Sequence, residues 1–207
     1  MTNRFTEPET VQVYPFRAEA DIAVARLAAD GIRSIVHQDD EGGLNPGFFA
    51  RYGVRVEVDR SDLEDAFESL GIERVRVPGE IARAMFFHSG WAYPEEACGL
   101  VAFDAHGGPA FAFCLTNLDK SEHRFTIGPE EHHGAMRFAE SLGLSIGAVF
   151  HSHVKSEAVP SASDLSGGAD PDWIHFIVGP VSGRRPLLRG FRIEHGFAIE
   201  LSVSVDE

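Results

Sequence analysis

The first third of the chain alternates apolar and polar residues with the periods of short strands and amphipathic helices. Val11 and Val13 have the spacing of a strand, and residues 32–36 form a second apolar run. Residues 54–58 alternate valine with charged side chains, the pattern of a strand with one buried face. This part of the chain therefore predicts three strands.

Two helices are predicted between and after these strands. Residues 18–30 are rich in alanine and end at Gly31, a residue type that favours the C-terminal cap of a helix. Ser61 is the expected N-cap of a second helix, which carries apolar residues at helical spacing and ends at Gly71.

The order of these elements predicts a small β-α-β-β-α sandwich over residues 1–78. Within it, residues 38–53 contain clustered Gly, Asp and Pro and predict a long loop. Residues 73–79 are expected to be the linker to the rest of the chain. Because the unit carries no chemical motif, we expect it to regulate or to dock a partner.

Residues 79–207 predict a larger α+β unit. Apolar residues recur at helical spacing over residues 81–88 and 130–142, and residues 146–150 predict a buried strand. The remaining predicted strands cover residues 100–103, 110–116, 173–179, 187–193 and 197–205.

Composition and charge narrow the class of partner. The 207 residues are 43% hydrophobic and 24% charged, which is typical of a folded protein. The net charge is −14, and 15 acidic against nine basic residues place −6 of it in residues 1–78. The remaining −8 lies in residues 79–207. Such a chain should repel nucleic acids and anionic membranes, and favours a basic or neutral protein partner.

The sequence predicts a cytoplasmic protein. It contains no run of 18 apolar residues, and its N-terminus does not resemble a signal peptide. Cys98 and Cys114 are too few for a secreted disulfide framework, so both are expected to be buried free thiols.

Candidate chemistry begins where the predicted strand over residues 146–150 leads into His151 and His153. Residues two apart in a strand point to the same face, so both imidazoles can bind one ion. Ser161 starts a predicted helix that brings Asp164 back as a third ligand. Three protein ligands and a fourth position open to water are typical of catalytic zinc. The spacing predicts one Zn²⁺ per chain and a hydrolytic reaction.

Each half of this pattern also has an ordinary explanation. A His-x-His pair is often two unrelated histidines, and this chain contains ten. Ser161 and Asp164 have the spacing of a helix-capping pair, which needs no metal. The two halves together favour the metal site, and the other eight histidines are expected mainly at the solvated surface.

Hydrolysis also requires a general base that accepts a proton from water and returns it to the leaving amine. The segment between Pro94 and Gly99 offers two carboxylates, Glu95 and Glu96.

Together these residues resemble the JAMM (MPN-plus) zinc metalloproteases. The family's metal motif, His-x-His-x7-Ser-x2-Asp, is matched by His151, His153, Ser161 and Asp164. Its upstream Pro-x-Glu-x-Cys-Gly motif is matched between Pro94 and Gly99, and this register selects Glu96 over Glu95. The resemblance covers residues 79–205. It implies a cytidine-deaminase-like fold with a mixed sheet flanked by helices.

The resemblance implies a role for each residue of the motif. His151, His153 and Asp164 would bind zinc, Glu96 would act as general base and then general acid, and Ser161 would stabilise the oxyanion. The family cleaves bonds after the C-terminal Gly-Gly of ubiquitin-like proteins. Its bacterial relatives process sulfur-carrier proteins, including release of amino acids such as cysteine. The expected partner is therefore a carrier with a Gly-Gly tail.

Residues 1–78 resemble the bacterial signal-transducing domains related to PII-like regulators. The resemblance rests on residues 11–14, on Gly31 and Ile32, and on residues 53–58. It implies a fold and no ligand, and it leaves a homodimer open.

Two other functions fit parts of the pattern. A non-catalytic MPN-type scaffold would share the fold but usually lacks the metal ligands. A RadC-type protein shares the metal motif, but the Glu96-Ala97-Cys98-Gly99 segment and the acidic chain oppose it.

Overall fold

The computed structural model describes residues 5–14, 16–38, 54–167, 170–183, 186–194 and 196–206. The chain divides into two compact units, Met1–Glu73 and Arg74–Glu207. Residues 39–53 of the predicted loop lie outside the described residues. None of the described helices is both long enough and apolar enough to span a membrane.

The N-terminal unit has the predicted β-α-β-β-α order. Its elements are β1 (Pro8–Tyr14), α1 (Arg17–Ala29), β2 (Ser34–Gln38), β3 (Val54–Asp59) and α2 (Leu63–Leu70). β3 is the central strand and runs antiparallel to both neighbours. Alternate valines of β3 are fully buried against Leu27 of α1 and Phe67 of α2. The prediction of a strand with one buried face is therefore confirmed.

Ser61 is not the N-cap of α2, so that prediction is wrong. Residues Arg60–Asp62 form a 3₁₀ turn, and Asp62 holds the N-cap position without a side-chain capping bond. The Ser61 hydroxyl donates to Asp62 Oδ1 at 3.2 Å. A 3₁₀ turn often precedes an α-helix, and it moves the true helix start beyond the serine.

The predicted linker over residues 73–79 is also wrong, because most of it is regular structure of the second unit. Arg74–Val77 forms strand β4, and α3 begins at Gly79. Val75 and Val77 are buried in the core of this unit. The segment alternates arginine and valine, which is the pattern of a half-buried strand. The boundary accordingly lies between Glu73 and Arg74 instead of after residue 78.

The second unit is built on a seven-stranded mixed sheet. Its further elements are α3 (Gly79–Ala92), β5 (Cys98–Phe103), β6 (Pro109–Leu115), α4 (Pro129–Ser141), β7 (Ser145–Ser152), α5 (Ala162–Ser166), β8 (Ile174–Gly179), β9 (Leu187–Glu194) and β10 (Phe197–Val205). The strand order is β4-β10-β9-β8-β7-β5-β6. The β4–β10 and β7–β8 pairs are parallel, and the others are antiparallel. The predicted mixed sheet flanked by helices is confirmed.

The sheet buries a different helix on each face. Phe150 of β7 packs with Met85 of α3 in one hydrophobic cluster. Val149, the preceding residue, packs with Ala135 of α4 in another. Because neighbouring residues of a strand point to opposite faces, β7 is buried on both sides. His151 continues this strand at its carboxyl end.

Cys98 and Cys114 are both free thiols, as predicted, but only Cys98 is buried. In the β5–β6 pair, Gly99 and not Cys98 lies opposite Cys114. The one-residue offset puts the two thiols on opposite faces of the sheet.

Gly99 is the residue of β5 that least tolerates a side chain. A Cβ atom there would overlap the Phe113 carbonyl oxygen and the Phe150 ring. We expect Gly99→Ala to lower the free energy of unfolding by about 1–3 kcal/mol or more. In Gly90→Ala the new methyl meets nothing within 4 Å, and helix propensity should raise stability by about 0.5–1 kcal/mol. Urea unfolding measures the free energy of unfolding of both variants. Equal changes in the two variants would contradict the prediction.

Candidate active site

His151, His153 and Asp164 bring three ligand atoms together at the carboxyl end of β7. The two Nε2 atoms are 3.2 Å apart. His151 Nε2 lies 3.3 Å from Asp164 Oδ1, and His153 Nε2 lies 3.5 Å from Asp164 Oδ2. Among the described residues, this is the group of three whose ligand atoms all lie within 4.8 Å of one another.

These separations fit a tetrahedral zinc site. Zinc bonds of about 2.0–2.1 Å in a tetrahedron place neighbouring ligand atoms about 3.3–3.4 Å apart. The three measured distances bracket this value. Two imidazole nitrogens and one carboxylate are also a donor set that zinc accepts.

His153 is held by its backbone and by its second ring nitrogen. Its N–H donates to the Val178 carbonyl at 2.8 Å, and its carbonyl accepts from Val181 at 3.0 Å. Nδ1 lies 2.7 Å from the Glu157 carbonyl, so it carries the proton and donates. Nε2 is therefore the ring nitrogen that faces the other two ligand groups and that would bind a metal.

His151 is fixed mainly by packing. It is completely buried, and the Phe125 ring stacks on it with 4.8 Å between ring centroids. Its Nδ1 has no hydrogen-bond partner among the described residues. Burial lowers the pKa of His151, which favours the neutral imidazole that a metal binds.

Asp164 is oriented by Ser161 through a capping box at the start of α5. Asp164 Oδ2 accepts from the Ser161 N–H at 2.7 Å and from its hydroxyl at 2.6 Å. Burial alone would raise the pKa of Asp164, but hydrogen bonds from His151, His153 and Ser161 hold it below its usual range. The capping pair and the ligand cluster are both present, so the two explanations of Ser161-x-x-Asp164 do not exclude each other.

Glu96 lies between α3 and β5 and is 4% exposed. Its backbone N–H donates to the Ser121 carbonyl at 2.8 Å. Burial raises the pKa of Glu96 to about 7, the charge of His153 lowers it and that of Asp164 raises it further. The carboxyl group thus belongs to the same electrostatic site as the ligand cluster. A pKa near 7 suits a group that takes up and returns a proton.

Asn117 joins the segment of Glu96 to the loop that carries Phe125. Its amide nitrogen donates to the carbonyls of Glu96 and Arg124, both at 3.0 Å. Its amide oxygen accepts from the backbone N–H groups of Asp119 and Thr126, at 3.0 and 3.2 Å. This buried amide is fully hydrogen-bonded and fixes the loop over the site.

Sequence reasoning missed two supporting residues. The Ser152 hydroxyl accepts from the Ala97 N–H at 2.8 Å, which ties the strand of the histidines to the segment of Glu96. His175 was expected at the surface but is 7% exposed, so that expectation is wrong for it. Its place in the apolar run of residues 174–178 is the signal that could have identified it as buried.

The burial of His175 has a consequence for stability at low pH. Burial, together with the charge of His151, lowers its pKa to about 4. In the unfolded chain an imidazole has a pKa of about 6.5. The unfolded state therefore binds the proton first, and the stabilisation present above pH 6.5 is lost as the pH falls toward 4.

We expect His175→Gln to flatten this acid dependence by up to about 3 kcal/mol between pH 7 and pH 4. Urea unfolding of chelator-treated protein measures it without a contribution from bound metal. His106→Gln, which changes an exposed imidazole, should keep the wild-type slope. If the free energy of unfolding falls with pH equally in wild type and His175→Gln, His175 is not the group responsible for the loss of stability in acid.

The family model for prokaryotic homologues of the JAB domain matches residues 78–193. The chain belongs to this family. The match begins just after β4 and covers most of the unit that contains the ligand cluster. The N-terminal unit lies outside it.

The chain is similar to two kinds of named relative. The CysO-cysteine peptidase of Mycobacterium tuberculosis is 28% identical over 132 residues, which are 63% of this chain and 90% of that protein. The desampylase of Haloferax volcanii is 30% identical over 89 residues, 42% of this chain and 64% of that protein.

A solved structure is similar in fold to a large part of this chain. The solution structure of a protein from Desulfitobacterium hafniense matches with a TM-score of 0.59 and 27% identity. The match covers 64% of this chain and 93% of the Desulfitobacterium hafniense protein.

Proposed function

We propose that this protein is a cytoplasmic zinc peptidase that hydrolyses the bond after the C-terminal Gly-Gly of a sulfur-carrier or other ubiquitin-like protein. The observation that carries the proposal is the tetrahedral spacing of the ligand atoms of His151, His153 and Asp164, beside a buried Glu96. Release of a single amino acid such as cysteine is the form of the reaction that the mycobacterial relatives' name supports.

His151 and His153 would hold the ion through Nε2, and Asp164 through its carboxylate. When bound, zinc polarises a carbonyl group and makes water a stronger acid. The buried surroundings of the three ligands keep competing water away and strengthen the charge interactions of the site.

Glu96 would move the proton. At neutral pH a carboxyl group with a pKa of about 7 is present in both forms. The carboxylate accepts one proton from the attacking water, whose oxygen bonds to the glycine carbonyl carbon. As the carbon–nitrogen bond breaks, Glu96 returns a proton to the leaving amine. The products are a carrier that ends in Gly-Gly and a free amine.

Ser161 would stabilise the negative oxygen that develops on the glycine carbonyl. Its hydroxyl proton points to Asp164 Oδ2 in this structure, and its backbone N–H donates to the same oxygen. The N–H bond can hold Asp164 while the hydroxyl turns to the substrate. Loss of one donor of this kind typically costs about 10²–10³ in kcat.

The N-terminal unit would then serve as a regulatory or partner-docking unit. A non-catalytic scaffold of the same fold is the competing function. The retained ligand set favours the peptidase.

The test uses CysO–cysteine, the conjugate in the relatives' name, and a ubiquitin-like fusion with a peptide after Gly-Gly. Zinc-loaded protein should remove the group after Gly-Gly, which intact-mass spectrometry detects as a carrier of the expected lower mass. If neither substrate is cleaved by protein that contains zinc, the scaffold function is supported and the peptidase is excluded.

A further inference from the structure

A cavity of about 230 Å³ lies beside the ligand cluster, and Asp164 belongs to both. We call it the Trp173 pocket. Its apolar lining is formed by Leu100, Phe125, Ile127, Val149 and Trp173. The Phe125 ring also stacks on His151. The wall of the pocket is therefore in contact with a ligand residue of the candidate metal site.

Two imidazoles give the pocket a weakly polar interior. His132 and His175 both line it. His132 Nε2 is buried and has no hydrogen-bond partner among the described residues, and its ring meets the edge of Trp173 at 5.9 Å between centroids. A buried imidazole nitrogen without a partner can pair with one weakly polar group of a ligand. An apolar side chain or a thiol suits such a pocket, whereas a charged group would lose its hydration.

Arg124 supplies positive charge to the same pocket. Its side chain is 71% exposed, and its Nε lies 3.8 Å from Asp119 Oδ2. Exposed pairs of this kind are weak, so the guanidinium can exchange this partner for another carboxylate. Its backbone is nevertheless fixed, because the Arg124 carbonyl accepts from Asn117. Guanidinium groups match the planar geometry of a carboxylate.

The size of the pocket limits its ligand. Pockets for drug-sized molecules are typically about 300–1,000 Å³. A cavity of about 230 Å³ is smaller and fits one amino-acid side chain. The apolar walls match the side chain of a free amino acid, and the guanidinium of Arg124 matches its carboxylate.

We propose that the Trp173 pocket binds the residue on the carboxyl side of the cleaved bond as a single terminal amino acid. Its apolar or thiol side chain enters the cavity, and its free α-carboxylate pairs with Arg124. This assignment rests on the proposed peptidase function, and it makes the protein selective for one-residue extensions of the carrier tail.

The first test measures binding without catalysis. Zinc-loaded protein is titrated with L-leucine while NMR follows the indole N–H signals of Trp173 and Trp91. The Trp173 signal should shift, whereas that of Trp91, which is 82% exposed on α3, should stay unchanged. L-leucinamide and L-aspartate should bind at least about 10-fold more weakly, because one lacks the carboxylate and the other adds a charge.

A matched pair of variants tests Arg124. Arg124→Gln should weaken L-leucine binding about 10-fold and leave L-leucinamide binding unchanged. Arg137→Gln, which removes an exposed arginine of α4 outside the pocket lining, should change neither. The same variants are compared on carriers that end in Gly-Gly-Leu, with the terminal carboxylate either free or as an amide. Only Arg124→Gln should lower kcat/KM, and only for the free carboxylate.

The outcomes separate the two proposals. If carriers with a free and an amidated terminal carboxylate are cleaved at equal rates, and L-leucine does not shift the Trp173 signal, the pocket assignment is wrong. The peptidase proposal would still stand. A leucine-dependent shift of Trp173 in a protein that cleaves no tail would overturn the peptidase, and the pocket would then bind a free amino acid without the proposed role in cleavage. Equal effects of Arg124→Gln on both leucine compounds would exclude Arg124 as the carboxylate partner.

Discussion

Replacing Glu96 by glutamine should lower kcat by about 10²–10⁴ while the protein keeps its zinc. The amide has nearly the shape of the carboxyl group but cannot take up and return a proton. The backbone bonds of Glu96 to Ser121 and Asn117 do not involve the side chain, so the fold around residue 96 should persist. Carrier cleavage and zinc content are measured on the same preparation.

Glu95→Gln is the matched control, because it makes the same chemical change one residue earlier. Glu95 is less buried than Glu96. Its variant should keep wild-type activity within about twofold. If Glu96→Gln were as active as Glu95→Gln, Glu96 could not be the proton carrier.

Replacing Asp164 by asparagine should remove both zinc binding and activity. The change takes away the negative charge that faces His151 and His153. Loss of a hydrogen-bond partner of a metal ligand typically costs about 10–100-fold in metal affinity, and loss of the ligand itself should cost more. Competition with a chromogenic zinc chelator measures the affinity.

Asp172→Asn is the control for this variant, since Asp172 is an exposed aspartate of the same unit. It should bind zinc as wild type does. Unchanged zinc affinity in Asp164→Asn would show that Asp164 acts only in the capping of α5. That is the explanation of the Ser161–Asp164 spacing that needs no metal.

The convergence of the ligand cluster could be predicted because it depends on local rules. The two histidines share a face through the strand period, and Ser161 positions Asp164 through a capping pattern four residues long. The order of elements in both units follows from hydrophobic periodicity in the same way. The alternation of arginine and valine over residues 74–77 carries the same signal for β4, which the linker prediction overlooked.

Contacts between distant segments could not be read from the sequence in this way. Glu96 shares an electrostatic site with Asp164 because β5 pairs with β7, and that pairing depends on the order of the whole sheet. The stacking of Phe125 on His151 depends on the same order, because these two residues lie 26 positions apart in the chain.

A zinc titration tests the central claim most directly. Chelator-treated protein receives increasing zinc, and cleavage of the CysO–cysteine conjugate is measured at each step. We predict that activity is absent without zinc, rises in proportion to it and stops rising at one ion per chain. Full activity in the zinc-free protein, or no activity with one bound ion, would contradict a zinc peptidase.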